Sequence, residues 1–225
     1  MFNQTGHGYD KLADRYHLLE KLIFGSQLNK ARTALLSLIP ACRSALVLGD
    51  GDGRLLESLL NTQPECQITS VDQSGRMLEI QQKRLSNHRL CGNVSWRQQD
   101  ARNIKGLDGQ FDLLVSAFFL DCFTFQELET HVPLWLNTLR PGGHFYLVDF
   151  QEPESGWKRL RGKMYLTAMH HFFRWCTNLP NRKIVDWNKV LNQCPLELVA
   201  LQNMNRDLIS IQLYRTDTER MVAGK

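Results

Sequence analysis

ALVLGDGDG, running from Ala45 to Gly53, is the stretch whose reading decides the fold. Ala45, Leu46, Val47 and Leu48 show no polar alternation, which is the pattern of a strand covered on both faces of a parallel sheet. Gly49, Gly51 and Gly53 then let the backbone turn sharply and come close to a ligand without Cβ interference. Arg54-Leu55-Leu56-Glu57-Ser58-Leu59-Leu60 follows as the opening of a helix. Glycine spacing alone also occurs in plain tight turns, so the reading depends on what lies downstream.

A second apolar strand, Gln67-Ile68-Thr69-Ser70-Val71, ends in Asp72, which lies 21 residues beyond Gly51. An acid at that place can accept both hydroxyls of an adenosine ribose. A nicotinamide fingerprint would also need a third glycine placed as in G-x-G-x-x-G, and Arg54 to Leu56 supply none there.

From about residue 9 to 215 the chain resembles the class I S-adenosylmethionine-dependent methyltransferases. Asp100-Ala101, after Asn93-Val94-Ser95-Trp96-Arg97, is similar to that family's adenine-recognition step at the end of the third strand. Leu139-Arg140-Pro141-Gly142-Gly143, before the apolar His144-Phe145-Tyr146-Leu147-Val148-Asp149, is similar to its loop and fifth strand. The resemblance implies S-adenosylmethionine as cofactor and S-adenosylhomocysteine as product. It implies a Rossmann-like, seven-stranded, mostly parallel α/β sheet with helices on both faces, a C-terminal antiparallel hairpin and a small helical lid. The cofactor residues it implies are Tyr9, Tyr16, Gly49, Asp50, Gly51, Asp52, Gly53, Asp72, Asp100, Ala101 and Ser116. One departure stands inside the opening motif: Val47 occupies a position where the family commonly has an acid that helps hold the methionine ammonium. Asp50 and Asp52 are the nearest substitutes, and both also suit capping of the following helix.

With 225 residues the chain is expected to form a single domain, with an N-terminal helical cap over about 9–39 and a lid insertion over about 151–192. No apolar run has the length of a membrane span and Met1 to Gly8 shows no signal-peptide pattern, so a cytoplasmic protein is expected. Cys42, Cys66, Cys91, Cys122, Cys176 and Cys194 are scattered without C-x-x-C spacing, which predicts packing residues or free thiols and no metal site. The net charge of +4 is concentrated between Lys158 and Lys183, arguing against a specific nucleic-acid binder. Trp157 to Lys163 interleaves bulky apolar and basic residues, as a weak membrane-surface contact or a solvated helix start would.

Tyr9 to Phe24 and Leu28 to Ile39 have helical spacing, and a third helix is introduced by Asp72, Ser74 and Gly75 and runs through about Leu85. Phe111 to Ala117 reads as the fourth strand, and Thr124 with Glu127 forms a capping-box pattern for a helix running to Leu139. Leu196 to Met204 and Leu208 to Tyr214 read as the closing hairpin. Met164 to Trp175 is helical in propensity and apolar over more than one face, as either a substrate-covering lid or a helix completing the core would be.

Methyl transfer from a sulfonium is an in-line displacement, so positioning outweighs covalent chemistry and a base serves only a nucleophile that carries a proton. Asp121, after the fourth strand, is a candidate base or substrate anchor, with helix capping as its structural alternative. His170 and His171 are further candidates, and on a helix at most one of them faces the pocket. Phe118, Phe119, Tyr165, Phe172, Phe173 and Trp175 favour a small apolar or aromatic acceptor. The rival functions are a cofactor-binding protein or cyclase that does not methylate, and an RNA methyltransferase.

Overall fold

The alternating burial of one five-residue strand explains how the layers assemble. In the computed structural model, which describes residues 26–153 and 185–217, β1 (Ser44–Leu48) sends Ala45 and Val47 to one face and Leu46 and Leu48 to the other. Successive strand side chains point to opposite sides, so a strand buried on both faces needs a helical layer on each. On the first face lie α1 (Gln27–Thr33), through Leu28 and Ala31, and α2 (Arg54–Thr62), through Leu55, Leu56, Leu59 and Leu60. On the second lie α4 (Phe125–Leu136), through Leu128, Val132, Trp135 and Leu136, and α5 (Trp187–Leu191).

The remaining elements are β2 (Gln67–Asp72), α3 (Gly75–Leu85), β3 (Val94–Gln98), β4 (Phe111–Ala117), β5 (Leu139–Phe150), β6 (Leu196–Met204) and β7 (Ile209–Thr216). They form a seven-stranded sheet in the order β3-β2-β1-β4-β5-β7-β6. β1 to β5 are mutually parallel and β7 runs antiparallel to both β5 and β6, which gives the expected closing hairpin. The chain moves outward from β1 to β3, then crosses back to place β4 on the other side of β1. That reversal opens a crevice above the carboxyl ends of β1 and β4, where ligands bind in open α/β sheets.

Several boundaries differ from the expected ones for identifiable reasons. The expected helix Leu28–Ile39 is a seven-residue α-helix followed by a 3-10 turn over Leu36–Leu38. The break falls where the buried Tyr146 hydroxyl of β5 donates to the Arg32 carbonyl at 3.0 Å and lies 3.4 Å from the Leu35 amide. The helix expected to run to Leu139 ends at Leu136, and Leu139 already pairs with Phe111 as the start of β5. The segment read as a loop, Leu139 to Gly143, is therefore strand, and a register irregularity between Phe111 and Leu113 absorbs it. Ser74 caps α3 by accepting from the Met77 amide. The helix expected over Tyr9–Phe24, the Trp157–Lys163 segment and the lid helix Met164–Trp175 lie outside the described residues.

The capping box of α4 is complete. The Thr124 hydroxyl accepts from the Glu127 amide at 3.2 Å, and the Glu127 carboxylate accepts from the Thr124 amide at 2.9 Å. Thr124→Ala removes the hydroxyl that accepts from the Glu127 amide, leaves the backbone bond from residue 124 to the Glu127 carboxylate, and is expected to cost about 1 kcal/mol of stability, read as a lower urea midpoint at unchanged slope.

Candidate functional site

The glycine turn leaves β1 at the topological switch point, and each glycine there has its own neighbour. At Gly49 (φ +62) an added Cβ would lie 2.3 Å from the Phe119 ring, so that residue makes room for an aromatic side chain from the loop after β4. At Gly53 the nearest obstacle is Gln81 of α3, at 3.2 Å. At Gly51 (φ +64) no atom of the described residues lies within 4 Å of the Cβ position. Gly51 is therefore the member of the turn that faces open space, where another molecule can approach the backbone closely.

The turn is held from beneath by α3. The Gln81 side chain, fully buried, donates to the Gly51 carbonyl at 3.0 Å and accepts from the Ser70 hydroxyl at 2.8 Å. One helical turn on, Arg84 donates from Nε to the Asp52 carbonyl at 2.6 Å and pairs through Nη2 with the Asp52 carboxylate at 3.0 Å. Arg54 reaches the same carboxylate oxygen at 2.8 Å. Asp50 turns inward and caps α2, accepting from the amides of Leu55 at 3.3 Å and Leu56 at 2.9 Å. Of the two acids in the turn, Asp50 thus does the capping and Asp52 forms ion pairs. Their part in balancing the methionine ammonium, expected from the Val47 departure, would have to coexist with these bonds.

Asp72 ends β2 half-exposed, and its carboxylate accepts from the Ser74 amide at 2.9 Å, which fixes the side chain at the mouth of α3. Asp100 caps a short 3-10 turn by accepting from the Arg102 amide, and is chelated by the Arg102 guanidinium at 2.6 to 3.0 Å. Burial would push its carboxyl up, but the Arg102 bonds prevail and hold it below the usual range. Arg102 continues to Glu127 at 3.0 Å, joining the adenine-side turn to the α4 capping box. Ala101 is buried, and its carbonyl accepts from the Trp135 indole at 2.9 Å. Ser116 lies one residue before the end of β4, and its buried hydroxyl has no hydrogen-bond partner among the described residues.

The loop after β4 holds what the sequence reading missed. Phe118 has a left-handed backbone (φ 54), a conformation that costs a bulky residue on the order of 1–3 kcal/mol and persists only when its surroundings fix it. Its amide donates to the Val148 carbonyl at 2.7 Å, its ring packs on Phe150 at 4.9 Å, and the buried Arg32 guanidinium lies 5.0 Å from the ring centre. Asp149, fully buried near the end of β5, then accepts from the amides of Phe119 at 3.2 Å, Leu120 at 2.8 Å and Phe150 at 2.8 Å. Burial and the negative charge of Asp121 push the Asp149 carboxyl well above the usual range, against the three amides that favour its anion. Phe119, Phe123 and Trp135 meet ring to ring at 4.9 to 5.7 Å. Asp121 sits in the 3-10 turn Leu120–Cys122, while Thr124 caps the next helix as anticipated, so helix capping does not occupy Asp121. Tyr9, Tyr16, His170 and His171 lie outside the described residues.

Residues 45–143 match the family model described as a methyltransferase domain. The chain is 28% identical over 167 residues to the ubiquinone/menaquinone biosynthesis C-methyltransferase UbiE of Pseudomonas fluorescens, covering 73% of this chain and 63% of that protein. It is 27% identical over 159 residues to the demethylmenaquinone methyltransferase of Thermotoga maritima, covering 70% of this chain and 65% of that one. The chain thus spans just under two thirds of the length of these relatives. Among solved structures, the N-methyltransferase NodS of Bradyrhizobium japonicum in complex with S-adenosylhomocysteine superposes with a TM-score of 0.65 at 18% identity, over 95% of this chain and 99% of that one. The pyocyanin biosynthetic protein PhzM superposes with a TM-score of 0.69 at 16% identity, over 96% and 62%. Both share the fold. Among the described residues no group of acids, histidines and cysteines is arranged to hold a metal ion, and no helix is long and apolar enough to cross a membrane.

The inward carboxyl of Asp50 has a measurable consequence. Burial is the largest influence on it and pushes it up to about 7, although the Leu56 amide and the Arg32 charge oppose the shift. The folded state therefore keeps this proton across a range, from about 4 to about 7, in which the unfolded chain releases it. Its contribution to stability is full below pH 4 and declines as pH rises to 7. Asp50→Asn removes this dependence. The melting temperature of the variant minus that of the wild type is expected to increase by a few °C from pH 4 to pH 7, and parallel profiles would contradict the assignment.

Proposed function

We propose a reaction for this chain, which belongs to the class I S-adenosylmethionine-dependent methyltransferases and has S-adenosylmethionine as its cofactor: transfer of the methyl group to a small, apolar or aromatic acceptor. The observation that carries the reading is Gly51, open above its Cβ position at the β1/β4 switch point, with Asp72 at the adjacent strand end. The residues present fit the cofactor. Asp72 provides a carboxylate for the ribose hydroxyls, Gly51 gives backbone access for the methionine portion, and the Ser116 hydroxyl is a buried polar group without a hydrogen-bond partner among the described residues. Gly49, Gly53, Asp50 and Asp52 shape the same turn, and Asp100 with Ala101 borders the adenine side through the Arg102 and Trp135 contacts.

When bound, S-adenosylmethionine supplies an already activated methyl group on a sulfonium. What this chain adds is position and exclusion of water. Phe119, partly exposed and backed by the buried rings of Phe123 and Trp135, lies beside the glycine turn, where it offers an apolar surface to a flat acceptor. Asp121 lies in the 3-10 turn of the loop after β4, and its assigned role is to anchor a hydroxyl of the acceptor or take its proton. The Pseudomonas relative is named for ubiquinone and menaquinone biosynthesis and the Thermotoga relative for demethylmenaquinone, which supports a quinone-related ring as the acceptor.

Isothermal calorimetry with S-adenosylhomocysteine tests the cofactor assignment. Asp72→Ala is expected to weaken binding about 10- to 100-fold, the loss of charge-assisted bonds to two hydroxyls, while the ligand-free melting temperature stays within a few °C. Wild-type affinity in that variant would overturn the placement of the ribose. Incubation with labelled cofactor and a panel of hydroxylated aromatics tests the acceptor class, with methyl incorporation expected to fall at least tenfold in Asp121→Ala if the carboxylate acts on the acceptor.

A further inference from the structure

At the opposite end of the sheet two thiols are held close together. The Cys42 and Cys66 sulfurs lie 3.2 Å apart, both side chains buried. One residue, Gln63, ties down both backbones: its side-chain oxygen accepts from the Cys42 amide at 3.2 Å, and its carbonyl accepts from the Cys66 amide at 3.1 Å. The Gln67 amide donates to the Arg43 carbonyl at 2.8 Å, and Ser44 pairs in register with Gln67, so the two cysteines flank the first rung of the parallel β1/β2 ladder. Adjacent strands at that separation lie within the range a disulfide spans, and bond formation requires the sulfurs to approach by about 1.2 Å, a small side-chain rotation.

We propose that Cys42 and Cys66 are a peroxide-oxidisable dithiol that closes into a disulfide, a modification site separate from the methyl-transfer crevice. Cys42 is the attacking sulfur. It lines a groove of about 240 Å³ at the amino ends of the strands, together with Asp112, Arg140 and His144, which gives a small oxidant a route to it. The hydrogen bond between the two sulfurs, in which the Cys66 thiol donates once Cys42 is ionised, favours the Cys42 thiolate and lowers its pKa, against burial and the charge of Asp112. Cys66 is pushed upward first by that same bond, so it remains the protonated partner while Cys42 is a thiolate.

The chemistry balances with hydrogen peroxide as oxidant. The Cys42 thiolate attacks one peroxide oxygen, the O–O bond breaks, and the departing hydroxide takes a proton to leave as water. Cys42 is then a neutral sulfenic acid, and the bond that had raised the Cys66 pKa is gone. The Cys66 sulfur attacks the sulfenic sulfur, the S–S bond forms, and the hydroxyl leaves with the thiol proton as a second water. Two thiols lose two electrons and one peroxide is reduced to two waters. The bond ties the approach to β1 to the start of β2 and closes a loop that contains the glycine turn and α2.

The full chain, fully reduced and then exposed to a molar excess of hydrogen peroxide under native conditions, is alkylated and digested without reductant. The expected product is one peptide pair joined through Cys42 and Cys66, two hydrogens lighter than the sum of its thiol forms and separated by dithiothreitol. In Cys66→Ser, dimedone is expected to trap a sulfenic acid at Cys42. Recovery of both cysteines as alkylated thiols, or of Cys42 as a sulfinic acid without a cross-link, would overturn the proposal.

Discussion

The candidate site depends on one buried carboxylate. Asp149 receives three backbone amides at the end of β5 and so converts the end of a strand into an anchor for the loop after β4. Burial and the Asp121 charge keep this carboxyl well above the usual range, yet the three amides converging on its oxygens hold the loop in place beside the strained backbone of Phe118. That anchor, together with the ring contacts to Phe123 and Trp135, fixes where Phe119 lies, and Phe119 fills the space above Gly49. The crevice is therefore built from both sides. Asp149 sets the loop after β4, and Gln81 with Arg84 sets the turn after β1.

Elements whose residues report directly on burial were legible from the chain. The apolar run at Ala45–Leu48 signals a doubly covered strand because both of its faces meet helices, and Phe111–Ala117 carries the same signal. The Thr124 and Glu127 pair specifies its own helix start because a capping box is local chemistry. Failures came where tertiary neighbours decide. Leu139 to Gly143 carries turn-forming residues, and it is strand because Leu139 pairs with Phe111 across the sheet. The shortened first helix reflects a tyrosine more than a hundred residues away in the chain.

The site divides along the same line. Asp72, Asp100 and the glycines follow strand ends at fixed spacing, so sequence order locates them. Asp149 appeared only as the last residue of an apolar run, and nothing local shows that three amides converge on it. Gln81 and Arg84 share a helix face, a signal visible in principle, but its meaning depends on knowing that this face meets the glycine turn. Asp50 and Asp52 show the limit of motif reasoning most plainly. They are two residues apart in one turn, yet one points into the core as a cap and the other joins two arginines.

Hydrogen exchange read by mass spectrometry, with and without S-adenosylhomocysteine, tests most directly whether the Gly51 turn and the Asp149-anchored loop form one cofactor surface. The account predicts slower exchange in peptides covering residues 49–53 and 116–122 on ligand addition, with exchange across β6 and β7 unchanged. Protection that omits residues 49–53, or that appears on β6 and β7 in their place, would contradict it.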